Sequence, residues 1–266
     1  MNLPSYATLE LQPHGGHVLQ VTLNRPEALN ALNTRMGGDL HDLFLRVTAE
    51  PGALRCLVLT GAGDKAFCSG GDLKERDGMT QAQWQAQHEL FERAFVAMLE
   101  CPVPVIAAAS GHAYGGGLEI ALCCDFIYAA RTARFALPEA RLGIMPGGCG
   151  TQNLSRAVGE RRAKELVLTG RAFTADEGVA WGAFNQACDD AYGARTHALA
   201  TAQAIAENAP LSVRQAKKSI HYGLQMDLLS GYRFEIEAYN RLVDTDDRRE
   251  GVRAFNEKRK PQFQGR

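Results

Sequence analysis

"PVIAAASGHAYGGGLEIALCCD", residues 104–125, holds both elements of a mixed fold in one stretch. VIAAA has no polar side chain and is short, as a strand buried on both faces would be. Three glycines follow, and glycine is a poor helix former. Beyond them Leu118, Ile120, Ala121 and Leu122 form an apolar helical run that contains one charge, Glu119. A glycine run that opens a helix has two readings. N–H groups at a helix start lack intrahelical partners and sit at the positive end of the dipole, so they favour an oxyanion. Glycine also allows a helix start to pack tightly on a strand. This stretch supports both readings equally.

The same alternation extends outward. HVLQVTLNRP (residues 17–26) alternates apolar and polar side chains and stops at proline, as a strand does. In residues 30–50, Leu32, Met36, Leu40, Leu43 and Val47 share one helical face. LRCLVLTGAG (54–63) reads as a buried strand ending in a glycine turn, and WQAQHELFERAFVAMLE (84–100) as a helix punctuated by Pro102 and Pro104. DFIYAA (125–130) and RFALPE (134–139) read as two short strands, and helix dominates from about residue 155. The pattern predicts an α/β fold: a core over residues 1–200 and a helical region over 201–266, with no low-complexity linker between them.

The chain has 266 residues, 45% hydrophobic and 22% charged, enough for a core that needs neither disulfide nor metal. A net charge of −1 provides no whole-protein field toward nucleic acid or an anionic membrane. The seven cysteines are odd in number and form no C-x-x-C pair. They predict reduced thiols in a reducing compartment, the cytoplasm. The first residues lack the basic start and apolar run of a signal peptide, and no stretch of 18 uncharged apolar residues predicts a membrane span.

A second glycine loop, KAFCSGGDL (65–73), also follows a buried strand, and Asp72 suits the cap of the next helix. Two such loops, each giving one N–H, would make an oxyanion hole. Glu119 and Glu139 are the candidate acid and base. Taken singly, each reads as an ion-paired glutamate, with Arg131, Arg134 and Arg141 available. Taken together beside two N–H donors, they point to proton transfer, with burial raising their pKa toward neutrality. His112, beside the glycines, reads as a packing or hydrogen-bonding residue. Gly61, Gly63 and Ala66 fit a G-x-G-x-x-A dinucleotide fingerprint, which requires a helix to begin there. A nicotinamide-dependent oxidoreductase is therefore a distant alternative.

LNRPEALNAL (23–32), AFCSGGDL (66–73), residues 104–125, FALPEARLGIMPGGCGTQNLSRAVG (135–159), AKELVLTGRAFTADE (163–177) and DDRREGVRAFNEKRKPQF (246–263) follow one another in a known order. In these motifs the chain resembles the crotonase superfamily, the enoyl-CoA hydratase/isomerase family, over nearly its whole length. The resemblance implies a crotonase-like right-handed superhelix of ββα units with a helical C-terminal trimerisation region. It implies a homotrimer, or a homohexamer built as a dimer of trimers. The substrate would be an acyl-CoA thioester, with coenzyme A part of the substrate, no further cofactor, no metal, and neither nucleic acid nor membrane as partner. Some crotonase-like proteins bind RNA, but this chain has no dense basic stripe with interleaved aromatics.

The resemblance also assigns residues. The thioester oxygen would sit between the N–H groups of Gly71 and Gly116. Glu119 would deprotonate water and Glu139 would supply the α-proton, giving syn hydration of an enoyl-CoA. Isomerases of the family usually keep only the second glutamate, so the pair favours hydratase. An isomerase, a thioester hydrolase and a decarboxylase are the alternatives. Coenzyme A would meet Asn30, Ala31 and Leu32, then Ala66, Phe67 and Ser69, and finally Phe255 and Lys258, often from a neighbouring subunit. The helix over 81–91 with Met79, Trp84 and Met145 would line the acyl pocket. Leu118, Leu137 and Ser110 depart from common family residues, and the first two are expected to reshape that pocket. Asp247 and Glu250 fit a capping box at the last helix.

Overall fold

The strands and helices that the apolar pattern predicts form in the predicted order, and further short strands join them. The computed structural model describes residues 3–266; Met1 and Asn2, which begin both the N-terminal stretch and the predicted core, lie outside the described residues. The chain opens with β1 (Leu9–His14), β2 (Val18–Leu23), α1 (Thr34–Ala49), β3 (Cys56–Gly61), β4 (Ala66–Cys68), α2 (Leu73–Arg76) and α3 (Gln81–Leu99). It continues with β5 (Val105–Ala109), β6 (His112–Tyr114), α4 (Gly116–Leu122), β7 (Phe126–Ala130), β8 (Arg134–Ala136), α5 (Gly150–Val158) and α6 (Glu160–Thr169). It closes with β9 (Phe173–Thr174), α7 (Ala175–Ala180), β10 (Gln186–Cys188), α8 (Ala191–Ala206), α9 (Pro210–Gly223), α10 (Leu228–Asn240) and α11 (Asp246–Asn256).

Two sheets form, in the orders β1-β2-β3-β5-β7-β10 and β4-β6-β8-β9. In three successive units the first strand joins the larger sheet and the second strand joins the smaller one. Two glycines make equivalent bends. A Cβ on Gly61 would stand 2.5 Å from the Phe67 carbonyl oxygen, and one on Gly111 the same 2.5 Å from the Ala66 nitrogen. No larger residue fits where the chain turns from one sheet to the other. The dinucleotide alternative fails here, because the strand β4 and not a helix begins at Ala66.

Every residue of β3 and β5 is buried. Their side chains alternate between two cores, as a pleated strand requires. Leu57, Leu59, Val105 and Ala107 enter the main core with Met36, Leu40, Leu43 and Val47 of α1. Cys56, Val58, Ile106 and Ala108 face Ala198, Ala202 and Ala206 of α8. These alanines recur every fourth residue, a small-residue stripe that seats α8 on the sheet. Residue 200, the predicted boundary, therefore falls inside a helix that belongs to the core. The helices beyond, α9 to α11, bury few residues.

Strand β1 lay outside the sequence pattern. It is an edge strand carrying Pro13, and its outer residues are largely exposed. The capping box assigned to Asp247 and Glu250 is corrected. Thr245 caps α11 by accepting the Arg248 N–H. Asp247 accepts the N–H groups of Gln264 and Gly265, and Glu250 accepts Gln262 N–H and pairs with Arg259. Both carboxylates pin the C-terminal tail.

Candidate active site

Glycines 115 to 117 divide the two readings between them. A Cβ on Gly117 would collide with the Cys68 carbonyl oxygen, so Gly117 serves tight packing of α4 on β4. Gly115 has φ +51°, and a Cβ there would lie 2.9 Å from Glu139 Oε1. Gly116 is the unobstructed one, 3.6 Å from Leu32 and 3.8 Å from the Gly71 nitrogen by the same measure. Gly71 is held opposite by a short bridge: Leu32 donates to the Gly70 carbonyl at 2.8 Å and Asp72 to the Leu32 carbonyl at 2.9 Å. Asp72 caps α2 as expected, accepting from Lys74 and Glu75. Among the described residues the N–H groups of Gly71 and Gly116 donate to no protein acceptor. Gly71 and Gly116 both line a cavity of about 520 Å³.

Both glutamates line that cavity, and both are buried. Glu119 Oε1 accepts the N–H of Gly148 at 2.7 Å and of Gly150 at 2.9 Å. Burial pushes its pKa up, and these two donors oppose the rise by favouring the carboxylate. Glu139 starts a 3₁₀ turn after Pro138, and its Oε2 is buried without a partner. Burial lifts its pKa to about 7, helped by the charge of Glu119 and opposed by its own N–H. The ion pairs considered from sequence do not form. Arg131 binds Asp176 and Asp189, Arg141 donates to the Thr169 carbonyl, and Arg134 to the Ala133 carbonyl. His112 accepts the Arg134 N–H through Nδ1 at 2.9 Å, a structural role.

Of the other predicted residues, Leu32, Ser69, Trp84 and Met145 line the cavity. Asn30, Ala31, Ala66, Phe67, Met79, Phe255 and Lys258 do not. The Asn30 side chain is fully buried and joins loops, donating to the Ala62 and Ala66 carbonyls. Phe255 is 84% exposed on α11, and Lys258 follows with φ +54°. Leu118 and Leu137 are buried and do not line the cavity directly. Leu137 acts one layer back, against Gly150. Sequence reading missed Gly148 and Gly150, although "PGGCG" lay within a quoted motif. It also missed Arg76, three residues beyond the glycine loop.

Two unpartnered N–H groups and two buried glutamates thus share one cavity. The enoyl-CoA hydratase/isomerase family model matches residues 14–266. The chain belongs to this family. The Bacillus subtilis protein YngF is 42% identical over 252 residues, covering 94% of this chain and 95% of its own. The (E)-benzylidenesuccinyl-CoA hydratase of Thauera aromatica is 38% identical over 258 residues, covering 97% and 98%. The crystal structure of an enoyl-CoA hydratase from Bacillus anthracis superposes with a TM-score of 0.94 at 39% identity, covering 97% of this chain and 100% of that one. The two-sheet architecture is thus the crotonase fold. Among the described residues no helix of this family member is long and apolar enough to cross a membrane.

Proposed function

We propose that the protein is an enoyl-CoA hydratase that adds water across the α,β double bond of an enoyl-CoA thioester. One observation carries the reading: two unpartnered N–H groups and two buried glutamates of different environment share one cavity. The thioester oxygen accepts from Gly71 and Gly116, which stabilise the negative charge as the enolate forms. Glu119, its Oε1 already occupied by two N–H donors, takes a proton from water as the hydroxyl bonds to the β-carbon. Glu139, protonated near neutrality, gives its proton to the α-carbon. The proton on Glu119 then returns to Glu139 through exchange with solvent, which restores both groups.

Coenzyme A lies along the loops at Asn30–Leu32 and Ala66–Ser69, and Phe255 and Lys258 reach it from a neighbouring subunit. Leu224, Leu228, Leu229 and Tyr232 on the α9–α10 side are all more than half exposed, which favours a trimer or hexamer joined through these helices. Free, mostly buried cysteines suit a reducing compartment such as the cytoplasm. The test is loss of the conjugated enoyl absorbance of crotonyl-CoA, with Glu119→Gln and Glu139→Gln alongside. Rapid loss that either substitution cripples supports the reading. An inert crotonyl-CoA, with conversion of a 3-enoyl-CoA that depends on Glu139 alone, would make the protein an isomerase.

A further inference from the structure

Arg76 ends α2 and is the one arginine or lysine that lines the cavity among the described residues. Its guanidinium carbon lies 4.5 Å from the Trp84 ring centroid and 5.7 Å from that of Phe91. Its Nε donates to Gln87 Oε1 at 2.9 Å. Gln87 is buried and its Nε2 donates to Thr34 Oγ1 and Glu75 Oε2, both at 2.8 Å, so its oxygen is fixed toward Arg76. The guanidinium is therefore oriented before any ligand arrives. Its Nη1 stands 3.2 Å from the place of a Cβ on Gly71, beside the N–H that receives the thioester oxygen.

This cation has no anion of its own. Among the described residues neither Nη atom has an acceptor, and no carboxylate pairs with it. Glu75 Oε2 accepts from Gln87 and the Thr34 N–H, Glu119 Oε1 accepts from Gly148 and Gly150, and neither carboxylate makes an ion pair with Arg76. Partial burial pushes the Arg76 pKa down, and the nearby charges of Glu75 and Glu119 offset only part of that fall. A hydrocarbon acyl chain would expel the remaining water and raise that cost. A carboxylate would instead accept two parallel N–H bonds from the free edge of the guanidinium.

Resting on the hydratase reading, we propose that Arg76 binds a second carboxylate on the acyl group, so that the substrates are enoyl-CoA thioesters with an acidic acyl chain. Arg76 is then the specificity residue, and Gln87 and Trp84 hold it in place.

The test is calorimetric binding of glutaryl-CoA and pentanoyl-CoA, saturated ligands of equal chain length that differ in the terminal carboxylate. Wild type should bind glutaryl-CoA roughly ten- to a hundredfold more tightly, as one charge-assisted pair warrants. Arg76→Met should bring the ratio near one, and Arg76→Lys should keep part of it. Equal affinities in wild type, or a preference that survives Arg76→Met, would overturn the proposal. The two readings fail differently. Hydration of crotonyl-CoA without a glutaryl preference removes only the acidic-chain reading. A protein that binds neither ligand loses both.

Discussion

Two glutamates face one cavity from unlike settings. Glu119 sits a turn inside α4, and the Gly148–Gly150 segment wraps its Oε1 with two N–H donors. Glu139 sits on a 3₁₀ turn and has a buried oxygen with no donor at all. Both are desolvated, so burial alone cannot assign them different roles. The hydrogen bonds do. A carboxylate with two donors is stabilised in its charged form and suits a base. A carboxyl group whose buried oxygen has no partner, and whose charge is opposed only by its own N–H, keeps its proton to about pH 7 and suits an acid.

The largest expected effect breaks the comparison outright. Glu119→Gln and Glu139→Gln should each lower kcat by about 10²- to 10⁴-fold, measured on the same enoyl-CoA. Comparable losses would mean that both roles are needed; an indifferent Glu119→Gln would leave only the Glu139 half of the account. Gly116→Pro removes one proposed oxyanion donor at the first helical position, where proline is common and a Cβ meets the Leu32 side chain at an ordinary 3.6 Å. It should lower kcat by about 10²- to 10³-fold with the helical content unchanged by circular dichroism.

Gly150→Ala sharpens the comparison from the Glu119 side. Its Cβ would lie 2.7 Å from Glu119 Oε1 and displace that carboxylate. A loss of roughly tenfold in kcat is expected from the misplacement. Titration of Glu139 should stay near its wild-type position.

The smallest effect concerns stability. The folded Glu139 pKa of about 7 lies above the ordinary 4.5, so the fold favours the protonated form. Stability linked to this group is full below pH 4.5 and is lost as pH rises toward 7. Glu139→Gln has no such loss. It should gain on the order of 1 kcal/mol over wild type at pH 8 relative to pH 5 in denaturant melts.

Much of this was legible in the sequence, for physical reasons. Runs rich in apolar side chains mark β2, β3 and β5, because a buried strand tolerates a polar side chain only when it is hydrogen-bonded, as Thr60 is to the Ala108 carbonyl. The glycine loops and Glu119 stand out because a charge in an apolar helix and a glycine cluster before it each carry a cost. Strand β1 was hidden because an edge strand need bury little. Gly148 and Gly150 were hidden because their role is a backbone N–H, which no side-chain pattern encodes. Arg76 was hidden because an arginine at the end of a short polar helix looks like any exposed one. Only the fold brings Gln87 and Trp84 against it.

The most direct test of the division of labour is an infrared pH titration of the ligand-free enzyme. It would follow the carbonyl stretch of protonated carboxyl groups in wild type, Glu119→Gln and Glu139→Gln. A band that disappears near pH 7, persists in Glu119→Gln and is missing in Glu139→Gln is the predicted result. A neutral-range band that vanishes with Glu119 and not with Glu139 would reverse the assignment of acid and base.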